Sequence, residues 1–372
     1  TEGIGGDMWA VTTEVLEALA IGTGILGTGG GGNPYLGKLE AQAQLALGRT
    51  IRVIGVDELP EDAFATTVGG MGAPVVGVER IQQGEEALRA MRAVERHLGR
   101  RFSHVLPGEI GGANGMQPMV VAAQAGLPVI DADGMGRAFP ELQMDTFTIY
   151  GVRPTPGALC DPHGREVVFD GIADARVLER YARTVTIQMG GAAGYAFPPM
   201  TADELRQTAI PGTVSLAKRL GEAVLAARAA HADPVGAALT ATGGRRLFSG
   251  KIVDVERRLV GGFARGVLLL DGAGDDDGRT LRIDFQNENL IARAGDGEIL
   301  AVVPDLICIV DIDSAEPITT EIVRYGLRVA VLGIPAPDLL KTPTALAVIG
   351  PAAFGYSNVA YAPLPGRYGG RG

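Results

Sequence analysis

Ser103-His104-Val105-Leu106-Pro107 runs into Gly108-Glu109-Ile110-Gly111-Gly112-Ala113-Asn114-Gly115, and the chain continues through Met116 to Ala125 and Leu127 to Ala132. The first five residues read as a strand, the glycine-dense octet as a loop, Met116 to Ala125 as a helix and Leu127 to Ala132 as a second strand. Such a run is a βαβ unit and implies a mostly parallel sheet. The second strand ends in another glycine-bearing loop, Asp131-Ala132-Asp133-Gly134-Met135-Gly136-Arg137. Upstream, Ile51 to Val56 and Phe64 to Val68 read as strands, and Gly84 to Leu98 as an amphipathic helix. Phe64 to Val68 leads into Gly69-Gly70-Met71-Gly72-Ala73-Pro74, with Val75 to Val78 as a short extension. The loops at 69–74, 108–115 and 131–137 all follow strands. In open α/β sheets ligands sit outside the carboxyl ends of the strands, so these loops should share one edge.

A fourth loop, Leu26-Gly27-Thr28-Gly29-Gly30-Gly31-Gly32-Asn33-Pro34-Tyr35, carries four consecutive glycines. Glycine is the costliest residue to order and adds no packing, so such a run suits close approach of the backbone to a ligand. Gly27 to Gly32 formally fits GxGxxG, but Thr13 to Ile25 before it has helical spacing, whereas a dinucleotide fingerprint must follow a strand. No Gly-Lys-Ser/Thr is present, which excludes a P-loop. A plain linker is the competing reading. Leu36 to Leu47 reads as the next helix, closed by Gly48.

The chain has 372 residues, 46% hydrophobic and 20% charged, with 55 glycines and 22 prolines. That length accommodates two or more domains. A net charge of -10 without a Lys/Arg-dense block argues against a nucleic-acid or anionic-membrane partner. Cys160 and Cys308 are too few for a disulfide framework, and the start does not resemble a signal peptide, so the expectation is cytoplasmic. No apolar run approaches a membrane span.

Phe147 to Val152 and Val167 to Asp170 read as strands, and Ala173 to Thr186 and Thr213 to Ala230 as helices. From Arg246 onward the pattern is β: Lys251 to Leu259 and Phe263 to Leu270 form a hairpin. Thr280 to Phe285, Leu290 to Arg293, Ile299 to Val303 and Leu306 to Val310 add strands. Asp275-Asp276-Asp277-Gly278 is a hairpin tip, and Pro335 to Tyr368 is strand-poor. The fold class is therefore α/β, with an N-terminal domain over 8–172 and a β-rich C-terminal domain over 173–365.

Asp131 and Asp133 stand two apart, so an extended backbone points both to one face. Two such carboxylates suit a divalent metal or an acid/base pair, or they cap a helix and bond loop amides. Glu109, also past a strand, is a third ligand, a general base or a surface charge. Asn33 and Asn114 are candidate ligand orienters, and Arg137 suits a substrate carbonyl or a salt bridge to Glu141. Met71 and the loop residues Thr28, Gly29, Gly30 and Gly31 would contact the ligand. Gln286 and Asn287 sit in the polar run Asp284 to Asn289, which reads as a pocket wall or an exposed turn. Cys160 and His163 have half-zinc-site spacing but read better as a hairpin turn. Cys308 reads as a buried strand residue.

The 26–35 loop, Asp131-Ala132-Asp133-Gly134-Met135-Gly136-Arg137-Ala138-Phe139-Pro140-Glu141 and Phe285-Gln286-Asn287-Glu288-Asn289 together resemble the S-methyl thiohydantoin desulfurase family, over Met8 to Pro363. The resemblance implies hydrolysis of the exocyclic C–S bond of a thiohydantoin-type ring. It also implies kinship in substrate class with hydantoin- and oxoproline-processing enzymes. A divalent metal, zinc among the candidates, held by Asp131, Asp133 and Glu109 would activate water, and the 28–32 amides would hold the developing anion. Without a metal, Glu109 or one Asp would be the base. The rival readings are a hydantoinase- or oxoprolinase-like ring opener and a non-catalytic small-molecule-binding subunit. The expected assembly is a homo-oligomer, with a hydantoinase-like subunit as a further partner.

Overall fold

Four strands lie parallel at the centre of the first sheet, and glycine loops, at 108–115 and 131–137, leave the carboxyl ends of two of them. The structure, a computed structural model, describes residues 8–72, 76 and 83–369. Helix α1 (Thr13–Leu26) opens the chain after strand β1 (Trp9–Ala10), capped by the Thr12 hydroxyl at Val15 N. Helix α2 (Pro34–Ala46) starts with Asn33 as its cap and Pro34 in its first turn, where a missing N–H costs nothing. Strands β2 (Arg52–Ile54), β3 (Phe64–Gly72), β4 (His104–Pro107) and β5 (Val129–Ile130) pair in parallel in the order β2-β5-β4-β3.

The sheet is mixed beyond that centre. β1 closes one edge antiparallel to β2. On the other side come β9 (Ala192–Thr201), then β7 (Gly157–Cys160) and β8 (Glu166–Phe169), all antiparallel. The chain leaves β5 at Asp131 for a two-residue strand, β6 (Ala132–Asp133), which pairs with β10 (Ile210–Pro211). The expected strand over 147–152 is instead a helical turn, Thr146–Ile149. Asp145 caps it, accepting from Thr148 N at 2.6 Å, and this local bond outweighs the β propensity of Phe-Thr-Ile-Tyr. The 69–74 turn is a continuation of β3 as far as Gly72, and the extension from Val75 to Val78, Val76 apart, lies outside the described residues.

The C-terminal part is a seven-stranded antiparallel sheet. It is built from β11 (Arg245–Val260), β12 (Phe263–Gly272), β13 (Thr280–Gln286), β14 (Glu288–Ala294), β15 (Ile299–Val302), β16 (Leu306–Asp311) and β17 (Arg328–Ile334). Its order is β15-β14-β13-β12-β11-β17-β16. Alternate residues Leu268, Leu270, Leu281 and Ile283 pack with Phe248 and Ile252 in one core. A larger core joins α1 and the helix Thr213–Ala229 to β4, β16 and β17 through Leu16, Leu19, Leu220, Val105, Cys308 and Leu332. The last segment returns to the loop that follows β6, where the Tyr368 hydroxyl donates to Gly136 O at 2.6 Å.

Candidate active site

The carboxyl ends of β3 and β4 open onto a cavity of about 440 Å³, and the glycine loop and the tip between β13 and β14 close over it. Gly31, Gly32, Asn33, Met71, Asn114 and Asn287 line it, and so does Glu109. The glycine loop is tied to the 108–115 loop by Gly31 O accepting from Asn114 N and Gly32 O from Ala113 N, both at 3.1 Å. Gly31 has φ +77, and a side chain there would strike the Gly111 backbone, so this contact demands glycine.

Glu109 is buried, at 7% exposure. Asn114 Nδ2 donates to its Oε1 at 2.6 Å and Phe139 N to its Oε2 at 3.1 Å. Asn114 is itself held on both sides, its Oδ1 accepting from Gly70 N at 2.7 Å and its Nδ2 reaching Gly70 O at 3.1 Å. Asn114 therefore orients Glu109. Burial pushes the Glu109 carboxyl up to about 7, against the pull of Asn114, the Phe139 amide and the Arg137 charge.

The two aspartates part company. Asp131 turns to the helix Thr213–Ala229, accepting from Ser215 N at 2.9 Å and from the Ser215 hydroxyl. Asp133 is fully buried and its Oδ2 collects the amides of Ile110, Met135 and Gly136 at 2.8, 3.1 and 2.8 Å. It pins the 108–115 loop to the 133–137 loop, and burial pushes it up to about 7. Neither lines the cavity. Asp131 thus serves Ser215, Asp133 Oδ2 the loop amides and Glu109 the Asn114 amide and Phe139 N, while Asp133 Oδ1 is buried with no hydrogen-bond partner among the described residues. Among the described residues no group of three or more His, Cys, Asp or Glu side chains could hold a metal ion.

Arg137 is likewise a structural residue. It is fully buried, donating to Ala138 O, Pro304 O, Asp305 O and Asn289 O and, at 2.9 Å, to the Thr28 hydroxyl. Its guanidinium stitches the glycine loop to the C-terminal sheet, and burial holds it down at about 10. Thr28 and Gly29 belong to the same seam, through Asn289 N on Thr28 O and Thr320 N on Gly29 O, each at 2.8 Å. Thr28, Gly29, Gly30 and Gln286 stand behind the lining rather than in it.

The run 284–289, read as a pocket wall or an exposed turn, is a turn with a buried tip: Gln286, Asn287, Glu288 and Asn289 are all buried. Cys160 and His163 flank the turn between β7 and β8, where Asp161 Oδ1 accepts from His163 N and Arg165 N at 2.9 Å. Burial pushes the thiols of Cys160 and Cys308 up to about 11 and about 12. Among the lining residues that the site reading missed are Glu40, Gln117, Arg183, Tyr195 on β9 and Glu288. Tyr195 lies in a segment whose Pro198 and Pro199 disguise a strand. Glu288 was visible only as part of the Phe285–Asn289 string.

Residues 14–171 match the model described as S-Me-THD-like, N-terminal domain, and residues 173–364 the S-Me-THD-like, C-terminal domain. A crystal structure of a protein from Chromobacterium violaceum is similar with a TM-score of 0.78 at 26% identity, covering 95% of this chain and 99% of that one. No curated protein matches. No helix among the described residues is long and apolar enough to cross a membrane. Matched from its first helix to its closing segment by the two domain models, the chain belongs to the S-methyl thiohydantoin desulfurase family.

Proposed function

We propose that the protein hydrolyses the exocyclic C–S bond of an S-methylated thiohydantoin-type ring, with Glu109 as the general base. The observation that carries this reading is Glu109 itself, a buried carboxylate at the cavity wall, oriented by Asn114 and pushed up to about 7. A base with an affinity for protons near the working pH combines a large ionised fraction with a strong pull on water. Glu109 takes a proton from a water molecule as its oxygen bonds to the ring carbon bearing sulfur. The C–S bond then breaks, its electron pair leaving with sulfur, which is protonated as the thiol. The base role falls to Glu109 because Asp131 and Asp133 lie outside the cavity lining, bonded to Ser215 and to loop amides.

The test is thiol release from an S-methylated thiohydantoin, read with a thiol-reactive dye, before and after exhaustive chelation. Release should persist after chelation, and Glu109→Gln should lower kcat by about 10²–10⁴-fold, the usual worth of a positioned base. Ring opening with a new carboxylate and no thiol would instead favour the hydantoinase-like reading. Binding without turnover would favour the non-catalytic subunit.

A further inference from the structure

Glu288 takes no part in the chemistry above, yet it is built into the same cavity. It follows the reversal between β13 and β14, where Asn287 adopts φ 57 and Gln286 pairs with Glu288. Hairpin tips usually lie in water, but this one is clamped from several sides. Asn287 N donates to Ala264 O at 2.7 Å, and Asn287 Oδ1 accepts from Ala264 N at 2.9 Å. The Thr320 hydroxyl donates to Asn287 O at 2.7 Å, and Asn289 Nδ2 donates to Ile307 O at 2.9 Å. These bonds press the Glu288 carboxyl against Gly30, where any Cβ would overlap Oε1. Glu288 is only 2% exposed, and its Oε2 is buried with no hydrogen-bond partner among the described residues.

An ionised carboxylate whose oxygen is buried without a partner is expensive. A neutral acid there needs only one acceptor for its O–H, which a ligand can supply. The charged groups acting on Glu288 are Glu109, Arg137 and Arg183. Burial and Glu109 favour its neutral form, while the two arginines oppose it. Arg183 is itself engaged by Glu179 at 2.7 Å, and Arg137 by the seam.

We infer that Glu288 is a second catalytic residue, a carboxylic acid that donates its proton to the ring nitrogen beside the sulfur-bearing carbon while Glu109 deprotonates the attacking water. The step balances. The water oxygen bonds to the ring carbon, one water proton goes to Glu109, and the C=N electron pair moves to nitrogen, which takes the Glu288 proton. As the C–S bond breaks with its electron pair on sulfur, Glu109 protonates the thiolate. The remaining hydroxyl proton returns to Glu288 as the new C=O forms. One water is consumed, and both carboxyls regain their starting states. This assignment rests on the proposed C–S hydrolysis.

The experiment compares wild type, Glu288→Gln and Glu109→Gln on a neutral S-methylated thiohydantoin and on its N-methylated cationic counterpart, whose nitrogen needs no proton. Glu288→Gln should lose about 10²–10⁴-fold on the neutral ring. It should stay within several-fold of wild type on the cation, whereas Glu109→Gln should lose on both. The kcat/KM profile gives a second readout, since the high-pH fall of wild type should be absent from Glu288→Gln. Should the glutamine variant not fold, Gly30→Ala displaces the carboxyl without altering it and should show the same substrate split. Where wild type does not accept the cation, the pH profile decides. Equal losses on both rings with an unchanged high-pH limb, or full activity of Glu288→Gln on the neutral ring, would overturn the assignment. Absence of thiol release by wild type would overturn the function and this assignment together.

Discussion

Glu109 must lose its proton to act as a base, and burial holds that proton until about pH 7. The rising limb of kcat/KM against pH should therefore have its midpoint near 7 rather than near the usual carboxylate range. A midpoint near 4.5 in a rate profile would remove Glu109 from the base role. Asp131 is expected to behave differently. Asp131→Ala removes two bonds to Ser215 at the start of a helix, worth about 1 kcal/mol of stability as for other helix-start bonds. Denaturant titration should show that loss while thiol release stays unchanged. Both residues illustrate what the sequence could reveal. Glu109 was legible because a carboxylate in a glycine loop after a parallel strand has few places to go. For Asp131 and Asp133 the sequence left two readings, a shared face or bonds to loop amides and a helix start. The hydrogen bonds match the second, because two-residue alternation holds only inside one continuous strand. Here the chain changes partners between Ile130 and Ala132, from β2 and β4 to β10.

Among the elements, α1 and the helix Thr213–Ala229 meet backbone to backbone. A Cβ on Gly22 would overlap Ala217 O, and one on Gly221 would overlap Ala18 O. Gly221→Ala gains about 1 kcal/mol of helix propensity. Overpacking costs about 1–3 kcal/mol, and backbone cannot swing aside as a side chain can, so the upper end applies. A net fall in unfolding free energy is the expected result, and an unchanged or raised denaturation midpoint would contradict the close crossing. The sequence marked both helices by their apolar spacing, but nothing in it says which glycines face another helix. β9 was hidden for a different reason. Its run of Ala, Gly and Pro has low strand propensity, and its pairing with β3 comes from long-range contact that no local pattern records.

Over the whole molecule, buried carboxyls set the response to pH. Burial pushes Glu109, Asp133 and Asp145 each up to about 7. Between the unfolded values near 4 and the folded values near 7, the native state binds more protons than the unfolded state. Stability therefore falls as pH rises through that window, and Glu288, which burial raises well above the ordinary value, adds to the fall. Asp161 and Asp311 are held below the usual range by hydrogen bonds and neighbouring arginines, and their contribution is lost only in stronger acid. The unfolding temperature should be higher at pH 5.5 than at pH 8. The reverse order would show that these carboxyls are ionised in the folded state near neutrality. Activity and stability thus favour opposite sides of pH 7.

The cavity takes Glu109 from the first domain match and Glu288 from the second, and Arg137 bonds to residues of both. The two halves should therefore work only as a matched pair. Recombination between distant relatives near the domain border would join a glycine loop to a foreign hairpin tip and a guanidinium to foreign carbonyls. Variation in one half has to be matched in the other. Diversity in this lineage is therefore expected to accumulate at the cavity mouth, where α2 contributes Leu36 and Leu39, and not along the seam.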